Sequence, residues 1–333
     1  MTATSRTTRV DISDLAERQQ QIVTRAQLLV AGYDDMAIYR RTRSARWQRV
    51  LPGVYVLTTG HLSDEQRRIA AALYAGENAQ ITSLAALAWH GFRYAPISDR
   101  VQLLVPHEAR RRSAGHVIVA RAMELDPNAR DAGLYRVCSP ARAVVDAGRE
   151  LRELRPIRAI TAEAVQRGFT DPPALVDEIR RAKRSRTALI RRVVDEILAG
   201  VRSAPEAELR ECLAGSALAP LLRWNPPLHE KDGTRLPTPD AWIADSALAI
   251  EVDSQEFHYS ADGWRRTMDR HNELGRVGVL VLHFTPAEIR TNPRRVRRLI
   301  EQTHDARLGS VTCDVLTRDP SYAESVKKGP LLR

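Results

Sequence analysis

Apolar positions along the chain fall into many short segments rather than a few long ones. Ile12 to Gln21 carries helical spacing, with Asp11 or Ser13 as its cap. Thr24 can cap a second helix over Arg25–Val30, which Gly32 stops, and Asp34-Asp35 opens a third over Met36–Thr42. The pattern then changes to two strand-like runs between Trp47 and Leu57, placed around Pro52-Gly53 as a hairpin signal. Three short helices followed by a hairpin is the plan of a winged helix-turn-helix. In that plan the last helix enters the major groove of DNA and the hairpin touches its backbone.

Further along, Asp64–Ala75 reads as an amphipathic helix and Ser83–His90 as another with Ser83 as N-cap. Val101–Pro106 and His116–Ala120 are strand-like and separated by the basic run Arg110-Arg111-Arg112. Ser139-Pro140 opens a helix in which Arg142 and Asp146 stand at i,i+4, the spacing of an ion pair. His90 sits beside Trp89 and is expected to pack there. Glu150 to Leu198 reads as wholly helical apart from Asp171-Pro172-Pro173, with a basic stripe through Lys183, Arg184, Arg186, Arg191 and Arg192.

The stretch with the most chemistry begins at Leu236. Asp245-Ser246 separates two short apolar runs, which predicts a hairpin whose arms are Asp240–Ala244 and Ala247–Val252. Pairing Ala244 with Ala247 puts Asp240 opposite Glu251, and paired residues lie about 4.5–5.5 Å apart at Cβ. Alternation adds Asp253 to that face and turns Ile250 and Val252 to the core. Carboxylates held together repel unless protonated or bridged by a cation. Asp240, Glu251 and Asp253 are therefore the expected metal ligands, with Mg²⁺ (or Mn²⁺) the expected ion, and His258 a general acid or base. The bland alternative is an acidic rim paired with arginines. Glu206 stands three residues after Ser203, the spacing of a capping box. Arg210 and Trp242 are accessory candidates. Trp264–Arg276 reads as a helix, Val277–Phe284 as a core strand, and Arg294, Arg295, Arg297 and Arg298 lie on a closing helix before a tail.

Composition changes this picture only slightly. Lys and Arg number 51 against 41 Asp and Glu, a net charge of +10 that favours a polyanionic partner through phosphate neutralisation. Cys138, Cys212 and Cys313 are widely spaced, with no zinc-ligand pattern and no disulfide framework. No signal core and no long apolar span is present, so a cytoplasmic protein without membrane contact is expected.

Two resemblances add to these readings. Ala31-Gly32-Tyr33, Trp47 and Gly53-Val54-Tyr55 resemble the N-terminal domain of AbiEi-type antitoxins, the DNA-binding half of type IV toxin–antitoxin pairs. Ser139-Pro-Ala-Arg142-Ala-Val-Val-Asp146 is similar to a segment of the same proteins. The resemblance implies double-stranded DNA and a cognate toxin as partners, with Arg40, Arg41, Arg43, Arg46 and Arg49 facing DNA. Pro239-Asp240, Glu251-Val252-Asp253, His258, Asp269 to Leu274 and Val279 to Thr285 resemble, as an ordered set, a domain related to very-short-patch-repair endonucleases. That domain belongs to the PD-(D/E)XK nuclease superfamily, and the likeness covers Arg202 to Ala306. Asp253 stands where the superfamily usually has lysine. For Glu206 the resemblance implies a place near the metal, an equal alternative to its capping role.

The expected architecture is α/β multidomain. It comprises a winged helix-turn-helix at 1–60, an antitoxin-like α/β region at 61–150, a helical connector at 151–199, a restriction-endonuclease-like domain with a central mixed sheet at 200–310, and a tail at 311–333. The expected function is DNA binding joined to metal-dependent endonuclease chemistry. The alternative is a non-catalytic type IV antitoxin or transcriptional repressor, whose degenerate nuclease domain serves dimerisation or other contacts.

Overall fold

Polar caps and buried β-branched residues lay down the N-terminal region in the computed structural model, which describes residues 12–182, 185–253, 261–310, 313 and 315–317. Helix α1 (Ile12–Arg18) ends sooner than its spacing predicts, because Gln20 and Gln21 take positive φ. The chain then enters a strand that the sequence reading did not predict, β1 (Ile22–Thr24), in which Ile22 and Val23 are fully buried. Thr24 caps α2 (Arg25–Val30) in a full capping box with Gln27. Asp34 caps α3 (Asp35–Arg43), accepting from the Ala37 N–H at 2.6 Å. The hairpin of β2 (Gln48–Leu51) and β3 (Val54–Val56) turns at Gly53, whose φ of +74 suits glycine. Strand β3 lies between β1 and β2, giving the three-stranded sheet of a winged helix over a core of Val23, Leu28, Ile38 and Trp47.

A second sheet of the same unit has the order β6-β5-β4-β8-β7. It follows α4 (Asp64–Ala75) and is formed by β4 (Gln80–Thr82), β5 (Val101–Pro106), β6 (Val117–Ala122), β7 (Arg130–Asp131) and β8 (Arg136–Val137), with α5 (Ser83–Trp89) between β4 and β5. Ser83 is not the α5 cap that its position suggests. The N-cap residue is Thr82, which makes no side-chain cap bond because its Oγ1 donates to Asp146 at 2.8 Å. Ser83 instead donates to Glu150 at 2.5 Å. Both hydroxyls thus tie α5 to α6 (Pro140–Glu150), where Ser139 caps and Pro140 occupies the first turn. Arg142 reaches Asp146 at 3.0 Å as the spacing predicts, and both are buried. His90 packs edge-on to Trp89 and bonds the Cys138 carbonyl. The basic run is tethered through its backbone: Tyr74 donates to the Arg112 carbonyl and Arg121 to that of Arg111.

Beyond α6 come α7 (Leu154–Gln166), α8 (Pro172–Arg181) and α9 (Ala188–Leu198). The division of the chain into two units runs through these helices: one unit is Met1–Ile160 with Arg167–Ile190, the other Thr161–Gln166 with Arg191–Arg333. The expected connector at 151–199 is therefore shared between the units. Lys183 and Arg184 of its basic stripe lie outside the described residues.

In the second unit, α10 (Ala204–Leu213) precedes β9 (Arg223–Trp224), β10 (Leu228–His229), β11 (Ala241–Ile243) and β12 (Leu248–Val252). They are followed by α11 (Ala261–Arg276), β13 (Leu280–Phe284), α12 (Pro286–Thr291), α13 (Pro293–Arg307) and β14 (Leu316–Thr317). The main sheet has the order β13-β12-β11-β9, and β12 runs parallel to β13 while the other pairs are antiparallel. This is a mixed sheet, as expected. Alternation sorts its residues: Ala241, Ile243, Leu248, Ile250 and Phe284 meet Leu209 and Leu213 of α10, Ile289 of α12 and Ile300 of α13. Trp242 and Ala249 face the other way, toward Leu274 of α11. Among the described residues no helix is long and apolar enough to cross a membrane.

Candidate metal centre

The hairpin register is the one counted from the sequence. Ala241 pairs with Ile250 and Ile243 with Leu248, which carries Asp240 opposite Glu251. The Ala247 N–H closes the turn on the Ala244 carbonyl at 3.0 Å. On the other side of β12, Glu251 is the direct partner of His283 on the parallel strand β13. Asp240, Glu251 and His283 thus follow one another across three neighbouring strands on the face that α11 covers. Helix α11 contributes His271, whose ring centroid lies 4.0 Å from that of His283.

One oxygen of Glu251 and one nitrogen from each of His271 and His283 lie within 4.8 Å of one another, as ligands of a single ion must. It is the one such group among the described residues. Two observations show that these residues fit an ion. The Nε2 atoms of both histidines are buried and have no hydrogen-bond partner among the described residues. The other ring nitrogen of His283, Nδ1, is held by the Asp253 carboxylate at 2.8 Å. A carboxylate behind an imidazole is the usual outer partner of a metal-bound histidine.

The carboxylates expected to form the site have diverged in role. Glu251 is buried, with 7% of its surface exposed, and its Oε1 accepts from Arg270 at 3.0 Å. Burial pushes its pKa up, Arg270 and His283 pull it down, and Asp240 pushes it up again. Asp240 accepts from the Val252 N–H at 2.8 Å, while burial and the neighbouring Glu206 and Asp253 charges raise its pKa. Asp253 is engaged with His283. For His283, burial works downward, but the Asp253 hydrogen bond and charge outweigh it and leave the pKa raised; His271 is lowered by burial and by His283. The two neighbouring imidazoles are thus shifted in opposite directions.

Glu206 is fully occupied. Its Oε2 accepts from the Arg202 N–H at 2.8 Å, and its Oε1 from Arg210 at 2.7 Å and Asn225 at 2.8 Å. Arg210 also covers the Trp224 ring, 4.7 Å from its centroid, and Trp242 is a core residue at 1% exposure. His258 lies outside the described residues. The sequence reading quoted His271 and His283 within its motifs but gave neither a role. Their signal was a register one: His283 is the partner of Glu251 once β12 and β13 are known to run parallel.

In the winged helix, α3 presents Met36 and Tyr39, 62% and 54% exposed, together with Arg40 and Arg43. Arg43 donates to the Tyr39 hydroxyl at 3.1 Å. Arg46 and Arg49 are exposed beyond the helix and on β2, and with Arg40 they enter no ion pair among the described residues. Arg41 differs from its neighbours. It is half-buried, with its guanidinium 4.8 Å from the Tyr33 ring centroid and 5.1 Å from that of Trp47, so it serves the core of the motif.

Residues 10–58 match the family model described as "Transcriptional regulator, AbiEi antitoxin". No curated protein matches the chain. Among solved structures, one match is the crystal structure of RV2827C protein from Mycobacterium tuberculosis, 15% identical with a TM-score of 0.40, covering 60% of this chain and 78% of that one.

Proposed function

We propose that the chain is a DNA-binding protein whose second unit hydrolyses DNA phosphodiesters with a divalent ion held by Glu251, His271 and His283. The observation that carries the catalytic half is the pair of buried imidazole nitrogens beside Glu251, which have no partner among the described residues. When bound there, a divalent ion lowers the pKa of a coordinated water and offsets charge on the scissile phosphate. Asp253 orients His283. Arg270, half-exposed and bonded to Glu251, holds that carboxylate in place and presents positive charge where a phosphate approaches. Asp240 fixes the hairpin end through Val252. A plasmid-nicking assay on the metal-loaded chain tests this reading, and tight DNA binding without cleavage by any divalent ion overturns it.

The DNA-binding half rests on the winged helix and the match at residues 10–58. Phosphate contacts release counterions, so affinity for duplex DNA is expected to fall steeply with salt, by about 0.9 in log–log slope per contact. Replacing Arg40 and Arg49 with alanine should flatten the slope by the share of those two contacts while leaving the fold intact. Arg41→Ala should instead lower the melting temperature, because it removes the cation that spans Tyr33 and Trp47. A salt-independent wild type counts against DNA as the partner.

A second reading has its own support. Glu206 is consumed by structural hydrogen bonds and Asp253 stands in the lysine position, which favours a regulator without catalysis. On that reading the matched antitoxin family implies a cognate toxin as the further partner, and the second unit serves dimerisation or other contacts.

A further inference from the structure

We infer that the Glu251, His271 and His283 site is built for a borderline transition ion of the Zn²⁺ or Co²⁺ kind, with Asp253 as its positioning residue, and that Mg²⁺ is a poor occupant. This rests on the site proposed above and specifies what it holds.

The donor set decides the class. Mg²⁺ takes hard oxygen ligands and keeps several waters, so a site built for it is made of carboxylates. Here two of the three donors within 4.8 Å of one another are imidazole nitrogens. Imidazole suits Zn²⁺ and its first-row neighbours. Two histidines and one carboxylate, with the remaining position open, is a donor set of catalytic zinc sites. Neither of the other carboxylates is among those three donors: Asp240 accepts from the Val252 N–H and Asp253 holds His283 Nδ1. Asp253 thereby assigns the proton to Nδ1 and leaves the Nε2 lone pair for the ion. Glu251 accepts from Arg270 on Oε1, and one of its two oxygens lies with the imidazole nitrogens.

The test is metal binding by the full chain after chelator treatment, followed by calorimetric titration with Zn²⁺, Mn²⁺ and Mg²⁺ and by the visible spectrum of the Co²⁺-loaded protein. One equivalent of Zn²⁺ should bind at least 100-fold more tightly than Mg²⁺. His271→Ala and His283→Ala should each abolish this binding and the Co²⁺ bands, with circular dichroism unchanged. Asp253→Asn should weaken Zn²⁺ about 10–100-fold while keeping the stoichiometry. Mg²⁺ binding as tightly as Zn²⁺, or Zn²⁺ binding that survives loss of both histidines, overturns the inference. If either histidine variant does not fold, the wild-type Co²⁺ spectrum decides, since all-oxygen and imidazole ligation give different band positions. Tight Zn²⁺ binding without DNA cleavage upholds the site and removes only the nuclease reading. Cleavage supported by Mg²⁺ alone and indifferent to His271→Ala does the reverse.

Discussion

Glu251→Gln is expected to reduce metal-dependent DNA cleavage to background while leaving DNA affinity within a factor of two or so, since about 0.4 kcal/mol separates those affinities. The amide keeps the size of the side chain and can still accept from Arg270. It loses the negative charge that an ion requires and that compensates the buried surroundings of His271 and His283. Loss of an outer partner of a metal ligand costs about 10–100-fold, and loss of the ligand itself should exceed that range. DNA affinity should hold because the exposed arginines of the winged helix are in a different unit. Gel-shift titration and a nicking assay on the same preparation separate the two effects. Residual cleavage equal to wild type would mean that the activity has another source, such as a contaminating nuclease.

The sequence made one part of this site legible and hid the other. A two-residue loop at Asp245-Ser246 sets the hairpin register, because a strand that slips by one residue turns all its apolar side chains outward. Asp240 opposite Glu251 followed from that alone, and the structure has that register. The contributions of His271 and His283 could not be counted in this way. His283 meets Glu251 only through a parallel pairing, and the residues from 254 to 279 between the strands do not set its register locally. His271 arrives from a helix over the sheet, so its place depends on how α11 packs. Once these residues are placed, Asp253 has a role as the holder of His283, and the lysine that the nuclease resemblance led one to seek is not needed to account for it.

The same contrast holds in the first unit. Local signals were read well where a cap is self-contained, as at Thr24, Asp34 and Ser139. They failed at Ser83, where the hydroxyl has a better partner in Glu150, distant in sequence. Strand β1 was missed because it has only Ile22–Thr24 to show, too short for any periodicity. Its antiparallel pairing with β3 is a tertiary fact.

Asp146→Ala is expected to be the most destabilising substitution outside the apolar cores, by about 3–5 kcal/mol, the usual cost of removing one partner from a buried ion pair. Asp146 is 2% exposed and accepts from Thr82 and Arg142 on one oxygen and from Arg149 on the other. Without it, Arg142 keeps one acid within reach, Glu178 Oε2, at 3.6 Å and with no hydrogen bond among the described residues. That unused oxygen offers an escape: Arg142 can turn to Glu178 and recover part of the loss. The double variant Asp146→Ala with Glu178→Gln closes the escape and should cost more than the two single changes added together, which is the coupling a double-mutant cycle reads. Thermal melts of the four proteins supply the numbers, with a fall on the order of 10 °C for Asp146→Ala. A melting temperature within a degree or two of wild type would show that Arg142 is solvated in solution and that the network contributes little. Additive losses in the double variant would show that Glu178 cannot take over, and that Arg142 depends on Asp146 alone.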